Sequence, residues 1–177
     1  MFTRKGDSGE TDTSTGNRTS KGNPLVEVEG TSDELNSFIG FARSMVEWDD
    51  IRHDLAAIQE DIFSLGEDIL ADGKKRTIQE ERTKWLEERV YRYREEIGKI
   101  QLFVVPGGSM ESAVLHVART VARRLERSIV VASQSKKISP HVLSYANRLS
   151  SLLFMHALAA NKRKGIEEKI WSINRES

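Results

Sequence analysis

The chain has no cysteine, only three prolines, 7% aromatic residues and no net charge, its 27 Lys and Arg balancing 27 Asp and Glu. Without cysteine there are no disulfides, thiolate metal sites or thiol nucleophiles, and a reducing cytoplasm is the expected compartment. Neutrality removes any global field that would draw the chain to nucleic acid or an anionic membrane, so a basic surface must be local and neither partner is expected. Long apolar runs are also missing. The opening MFTRKGDSG has no apolar leader core, and the stretch LLFMHALAA at 152–160 is far shorter than a membrane span. What remains, 177 residues that are 38% hydrophobic and 31% charged, suits one helical domain, 1–177, with well-solvated faces.

Periodicity supplies the elements. Thr31 followed by Glu34 has the form of a capping box and predicts a helix starting near Ser32, with Leu35, Phe38, Ile39, Ala42, Met45 and Val46 on its inner face. Ile51, Leu55, Ile58, Ile62, Leu65 and Ile69 alternate at four and three, the seam of a bundle helix. DGKK at 72–75 breaks that pattern, and Thr77 with Glu80 predicts a third, more exposed helix through about Glu96. IQLFVVPGGSM is too short for a bundle helix and is stopped by Pro106-Gly107-Gly108. Ser109 then caps a long helix that carries Val114, Val117, Val121, Leu125 and Ile129 inward. Ser139-Pro140 starts a fifth, which Gly165 stops, and a short helical tail is expected around Ile170 and Trp171. No strand alternation is evident, so the expected fold is an all-α, up-and-down bundle of about five helices.

Three stretches are not explained by bundle packing. The opening TRKGDSGETDTSTGNRTSK combines glycines, hydroxyls and Arg4, Lys5, Arg18 and Lys21, which is what polyphosphate requires, although it does not match a P-loop and a frayed polar terminus has the same composition. In ARTVARRLER, Arg119, Arg123, Glu126 and Arg127 share one helix face, with Arg124 about 100° away; this is an anion-binding face or a solvated, ion-paired one. In LFVVPGGS, Phe103 before a rigid turn is either a plug over the core or a ligand contact. A non-catalytic helical module that docks an acidic partner on its basic face is the alternative function. A ferritin-like metal bundle is excluded because no Glu-x-x-His pair occurs.

Taken in order, TRKGDSGETDTSTGNRTSK, EGTSDELNSFIG, FVVPGGS, LHVARTVARRLER and YANRLSSLLF resemble the propanediol-utilisation type of ATP:cob(I)alamin adenosyltransferase from Thr3 to about Phe154. The resemblance implies a homotrimeric five-helix bundle that transfers the 5′-deoxyadenosyl group of ATP to the cobalt of cob(I)alamin and releases triphosphate. It implies a nucleotide-binding loop, 1–24, on Thr3, Arg4, Lys5, Gly6, Asp7, Ser8 and Gly9, completed by Thr11, Asp12 and Lys21. Within a bundle at 31–165 it assigns nucleotide contacts to Arg123, Arg124, Glu126, Arg127 and Asn147, followed by a tail at 166–177. Arg123 is expected to be catalytic together with Phe103 beneath the corrin ring, and with Asp33 and Arg119 paired across a subunit boundary near it. Glu29, where an aromatic is common, and Ser151, where Asp is frequent, depart from the family pattern.

The chemistry agrees with the residues that are scarce. Cob(I)alamin is itself a strong nucleophile, so no Ser, Cys or His base is needed, and the four histidines are scattered. Mg²⁺ is expected on the ATP phosphates and not in a cage of protein side chains. An electron-donating reductase and a cobalamin-dependent mutase are the partners the resemblance implies.

Overall fold

The computed structural model describes residues 2, 4–13, 16–70, 78–100 and 103–171. Five helices carry the fold: α1 (Pro24–Met45), α2 (Asp49–Leu70), α3 (Glu80–Ile97), α4 (Met110–Ala132) and α5 (Pro140–Arg163). Two three-residue strands, β1 (Glu10–Asp12) and β2 (Arg18–Ser20), pair antiparallel ahead of them, with Thr11 opposite Thr19. The expected absence of strands is corrected to this extent. α4 packs on α1 and α5, α3 on α5, and α2 on α1 with lighter contact to α5. Among the described residues, no helix is long and apolar enough to cross a membrane.

Local chemistry fixes most boundaries. Ser109 Oγ accepts the Ser112 N–H at the start of α4, and Ser139 Oγ accepts the His141 N–H before Pro140 at the start of α5. Gly165, at φ +68°, follows α5 in the left-handed conformation that an L side chain resists. Ile51, Leu55, Ile58, Ile62, Leu65 and Ile69 are all buried, as the seam on α2 predicts.

Three expectations meet a different outcome, and a fourth falls outside the described residues. α1 does not start near Ser32: Asn23 Oδ1 accepts the Leu25 N–H at 2.9 Å with Pro24 at the first helical position, so a stronger cap lies upstream. Thr31 and Ser32 are buried inside the helix, and Glu34 pairs with Arg124 instead of turning back to a cap. Thr77, the other proposed cap, lies outside the described residues, and α3 starts at Glu80 after Gln79. Val117 faces outward, 41% exposed, because the α4 seam runs through Leu115, Ala118, Ala122, Leu125, Ile129 and Ala132. The tail is not helical at Ile170, which instead pairs antiparallel with Val104.

α5 is the central post. Ala157, Leu158, Ala159, Ala160 and Asn161 are buried in succession, as expected of a helix surrounded by others. Small side chains there let its neighbours approach closely.

Candidate functional site

The opening segment is an ordered loop. Arg18 Nη2 donates to the Lys5 carbonyl at 2.8 Å while its guanidinium pairs with Glu10 and Asp12 at 3.2 and 3.3 Å. Lys21 Nζ donates to the Gly6 carbonyl at 2.9 Å, and its backbone N–H to the Gly9 carbonyl at 2.8 Å. These bonds fold Arg4 to Gly9 back onto β2. The tight path has a conformational cost at Arg4, which sits at φ +61°, and uses glycine at Gly9, where φ +80° is unstrained. A frayed terminus would show none of this cross-bracing.

The loop leads directly to α4. Lys21, Gly22, Pro24 and Glu27 line one side of a cavity of about 380 Å³, and Arg124, Arg127, Ser128 and Val131 line the other. Arg124 is anchored by Glu34 of α1. Arg127 donates once to the Arg123 carbonyl at 2.9 Å, and Arg123 itself is exposed. Two cations from α4 and one from the loop therefore converge on one cavity, an arrangement suited to a polyphosphate.

The remaining expected residues are distributed around this cavity or apart from it. Thr11 and Asp12 lie in β1, Asp12 holding Arg18; Lys5, Asp7 and Ser8 are exposed on the turn, and Thr3 lies outside the described residues. Glu126 of α4 accepts from Asn147 Nδ2 of α5 at 2.6 Å, so these two bridge the helices, and neither lines the cavity. Among the described residues no three His, Asp or Glu side chains gather as a metal site would require.

Asp33 and Arg119 are not paired within one chain. Asp33 is exposed in a groove of about 280 Å³ between α1 and α2, beside Glu29, Asn36 and Phe63. In that groove's wall Ser32 Oγ and Asn36 Oδ1 are buried and make no hydrogen bond. Arg119 is half-buried, its Nε donating to His116 Nδ1 at 3.2 Å and its guanidinium 5.9 Å from the Phe154 ring centre. Burial, and then the Arg123 charge, push its pKa below the ordinary arginine value. Burial likewise lowers His116 to about 4, with Arg119 adding to the shift, so its imidazole is neutral and accepts.

Phe103 is not a core plug. It stands 69% exposed at φ +61°, its ring edge-on to Trp171 with centroids 5.9 Å apart. The Trp171 N–H donates to the Phe103 carbonyl at 2.9 Å and the Val105 N–H to the Lys169 carbonyl at 2.7 Å. The loop is thereby fastened to the chain beyond α5.

Two features escape a reading by spacing. Asp54, Asp61 and Asp68 recur every seventh residue on α2 and are buried against polar groups from beyond that helix; their heptad spacing inside an apolar seam was the available signal. Asn161, buried near the end of α5, bonds the turn before α4, which no local pattern announces.

Relatives are extensive. The family model for cobalamin adenosyltransferase matches residues 1–160. A corrinoid adenosyltransferase of Bacillus subtilis is 40% identical over 172 residues, covering 94% of this chain and 89% of the relative. One from Citrobacter freundii is 37% identical over 162 residues, covering 89% and 92%. Among solved structures, a PduO-type ATP:corrinoid adenosyltransferase variant from Lactobacillus reuteri, complexed with cobalamin and ATP, superposes with a TM-score of 0.88 at 31% identity, covering 96% of this chain and 98% of that one. With the matched model spanning all five helices almost to the end of α5, this chain belongs to the cobalamin adenosyltransferase family.

Proposed function

We propose that this chain transfers the 5′-deoxyadenosyl group of ATP to the cobalt of cob(I)alamin, giving adenosylcobalamin and triphosphate. The observation that carries the reading is the convergence of Lys21 from the opening loop with Arg124 and Arg127 of α4 around one cavity. A bond forms between cobalt and the 5′ carbon as the bond from that carbon to its phosphate oxygen breaks, and the electron pair leaves on the triphosphate. No proton moves at the reacting carbon, so the chain's task is in-line placement and stabilisation of the leaving charge. Lys21, Arg123, Arg124 and Arg127 do the latter, with Arg4, Lys5, Gly6, Asp7, Ser8 and Gly9 shaping the loop around the phosphates. Mg²⁺ belongs to the nucleotide in this account, held by phosphates and water.

Phe103 supplies the corrinoid side. An exposed, apolar ring under the cobalt excludes water and offers no lone pair, which removes electron donation to the metal and makes Co(II) easier to reduce. The protein acts as a homotrimer: exposed Phe41, Phe63, Val117, Val130 and Val131 are apolar surface that an assembly would cover. Asp33 and Arg119, unpaired within the chain, then meet between neighbours. A reductase supplies the electron in the cytoplasm, and a cobalamin-dependent mutase uses the product.

The test is direct. Chemically reduced cobalamin and ATP are mixed with the protein, and the visible spectrum is followed for the adenosylated product. Appearance of that spectrum only with protein and ATP together is expected; binding of ATP without it would leave a non-catalytic anion-binding module.

A further inference from the structure

Phe103 is held in a backbone conformation that few bulky residues adopt, φ +61°, and such strain persists only where the surroundings over-determine it. Part of the restraint is visible in the pairing of Val104 with Ile170 and in the bonds that Trp171 and Lys169 make to the loop. The other part is a single buried amide. Asn161, 1% exposed, uses Oδ1 to accept the Ser109 N–H at 2.9 Å and Nδ2 to donate both to the Gly107 carbonyl at 2.9 Å and to Glu168 at 3.0 Å. Both amide hydrogens and the oxygen are engaged. The turn closes so tightly on this amide that a Cβ on Gly108, at φ +95°, would lie 2.4 Å from Asn161 Nδ2 and Oδ1.

We propose that Asn161 is a positioning residue for Phe103: its amide grips the Gly107-Gly108 turn on one side and the Glu168 arm on the other, and so sets where the aromatic ring stands. The proposal rests on the reading of Phe103 as the residue beneath cobalt. Asn161 is not needed to start α4, because Ser109 Oγ caps Ser112 and Lys164 pairs with Glu111 in the first turn independently of it. Its amide therefore acts on the turn and the arm. A displacement of the ring by about an ångström is enough to impair reactivity by one to two orders of magnitude.

Asn161→Asp keeps the shape but removes the donor, setting a carboxylate against the Gly107 carbonyl and Glu168. Gly108→Ala disturbs the same contact from the opposite side. Each variant is assayed with cob(II)alamin plus reductant and, separately, with preformed cob(I)alamin. Both are expected to lose about tenfold or more in the first assay, to stay within about threefold in the second, and to keep KM for ATP. Each is then combined with Phe103→Ala; once the ring is gone there is nothing to position, so the losses should not add. If Phe103→Ala shows the split between assays but neither turn variant does, or if the losses add fully, the proposal is overturned. Loss of native helicity or of a cooperative melt in both turn variants also overturns it, because Asn161 is then a core residue. If Phe103→Ala itself shows no split, the reading of Phe103 fails first, and the positioning role with it.

Discussion

Arg82 and Arg123 are the same side chain in opposite settings. Arg82 of α3 closes on Asp61 of α2 with two nitrogens, at 2.8 and 2.6 Å, while Tyr145 donates to the same carboxylate at 2.7 Å and the Trp85 ring covers the guanidinium at 4.4 Å. Arg163 is gripped likewise by Asp50 and Glu96, and its guanidinium holds the Asp50 carboxyl well below the usual range. Arg123 on α4 is exposed, and its neighbour Arg127 has one bond to a backbone carbonyl. The charges described between α2, α3 and α5 are saturated within the chain; Arg123 and Arg127, on the α4 face beside the opening loop, keep donors turned to solvent. Saturation marks cohesion, and unsatisfied capacity marks a place for a ligand.

The comparison breaks most visibly if a saturated charge proves dispensable. Asp61→Ala leaves Arg82 and the buried Tyr145 hydroxyl without their acceptor, and removing one partner of such a pair costs about 3 to 5 kcal/mol. The lower end is expected, since Arg82 remains 31% exposed and can rehydrate. Urea denaturation measures it, and a loss under about 1 kcal/mol would show that the network is not cohesive. Adenosylation measured below the transition should change much less than stability does.

Arg123→Ala should behave in the reverse sense. A charge-assisted contact to phosphate contributes about 1.5 to 3 kcal/mol, so kcat/KM for ATP should fall by roughly ten- to a hundredfold while the urea midpoint stays put. Arg123→Lys should restore only part, because a point charge cannot reproduce a planar fork. Unchanged ATP kinetics would remove Arg123 from the site.

Asp33 and Arg119 sharpen the comparison, being charges that neither pair with each other in the chain nor line the cavity between the opening loop and α4. If they meet between subunits, Asp33→Ala and Arg119→Ala each impair every site of their own trimers. Co-refolding equal amounts should rebuild the intact pair at roughly a quarter of interfaces, since each mixed trimer has one such junction. Mixtures no more active than the mean of the two variants would sink the shared pair.

Local signals were legible in the sequence and distant ones were not. The α2 seam and the caps at Ser109 and Ser139 follow from spacing and short-range bonds, and all were recovered. The basic face of α4 was equally plain from its spacing. Failures came where a partner lies far along the chain: Ile170 was expected in a helix but pairs with Val104, and Asn161 reaches back to Gly107. The first helix was placed late because two start signals compete, and the upstream Asn23-Pro24 cap prevails over Thr31. The exposure of Phe103 depends on a left-handed backbone and a strand-like partner, neither of which composition records.

His116 lies between the two settings, and its effect is expected to be the smallest at neutral pH. It is 3% exposed, its Nδ1 accepts from Arg119, its Nε2 has no partner, and the Phe154 ring stands 6.0 Å away. Burial, and then Arg119, lower its pKa from 6.5 to about 4. In the unfolded chain the same imidazole takes up a proton near pH 6.5. Between those values the unfolded state binds more protons than the folded one, so His116 contributes a loss of stability as pH falls from about 6.5 towards 4 and none above that range. The slope from one proton is at most about 1.4 kcal/mol per pH unit. His116→Gln retains an acceptor for Arg119 but cannot titrate, so its urea midpoint should fall less steeply than wild type over this window, and the two should run parallel above pH 7. Superimposable profiles from pH 7 to 4 would mean that His116 takes up its proton over the same pH range folded and unfolded, so that burial does not keep it neutral and Arg119 loses its acceptor as the pH falls through that range.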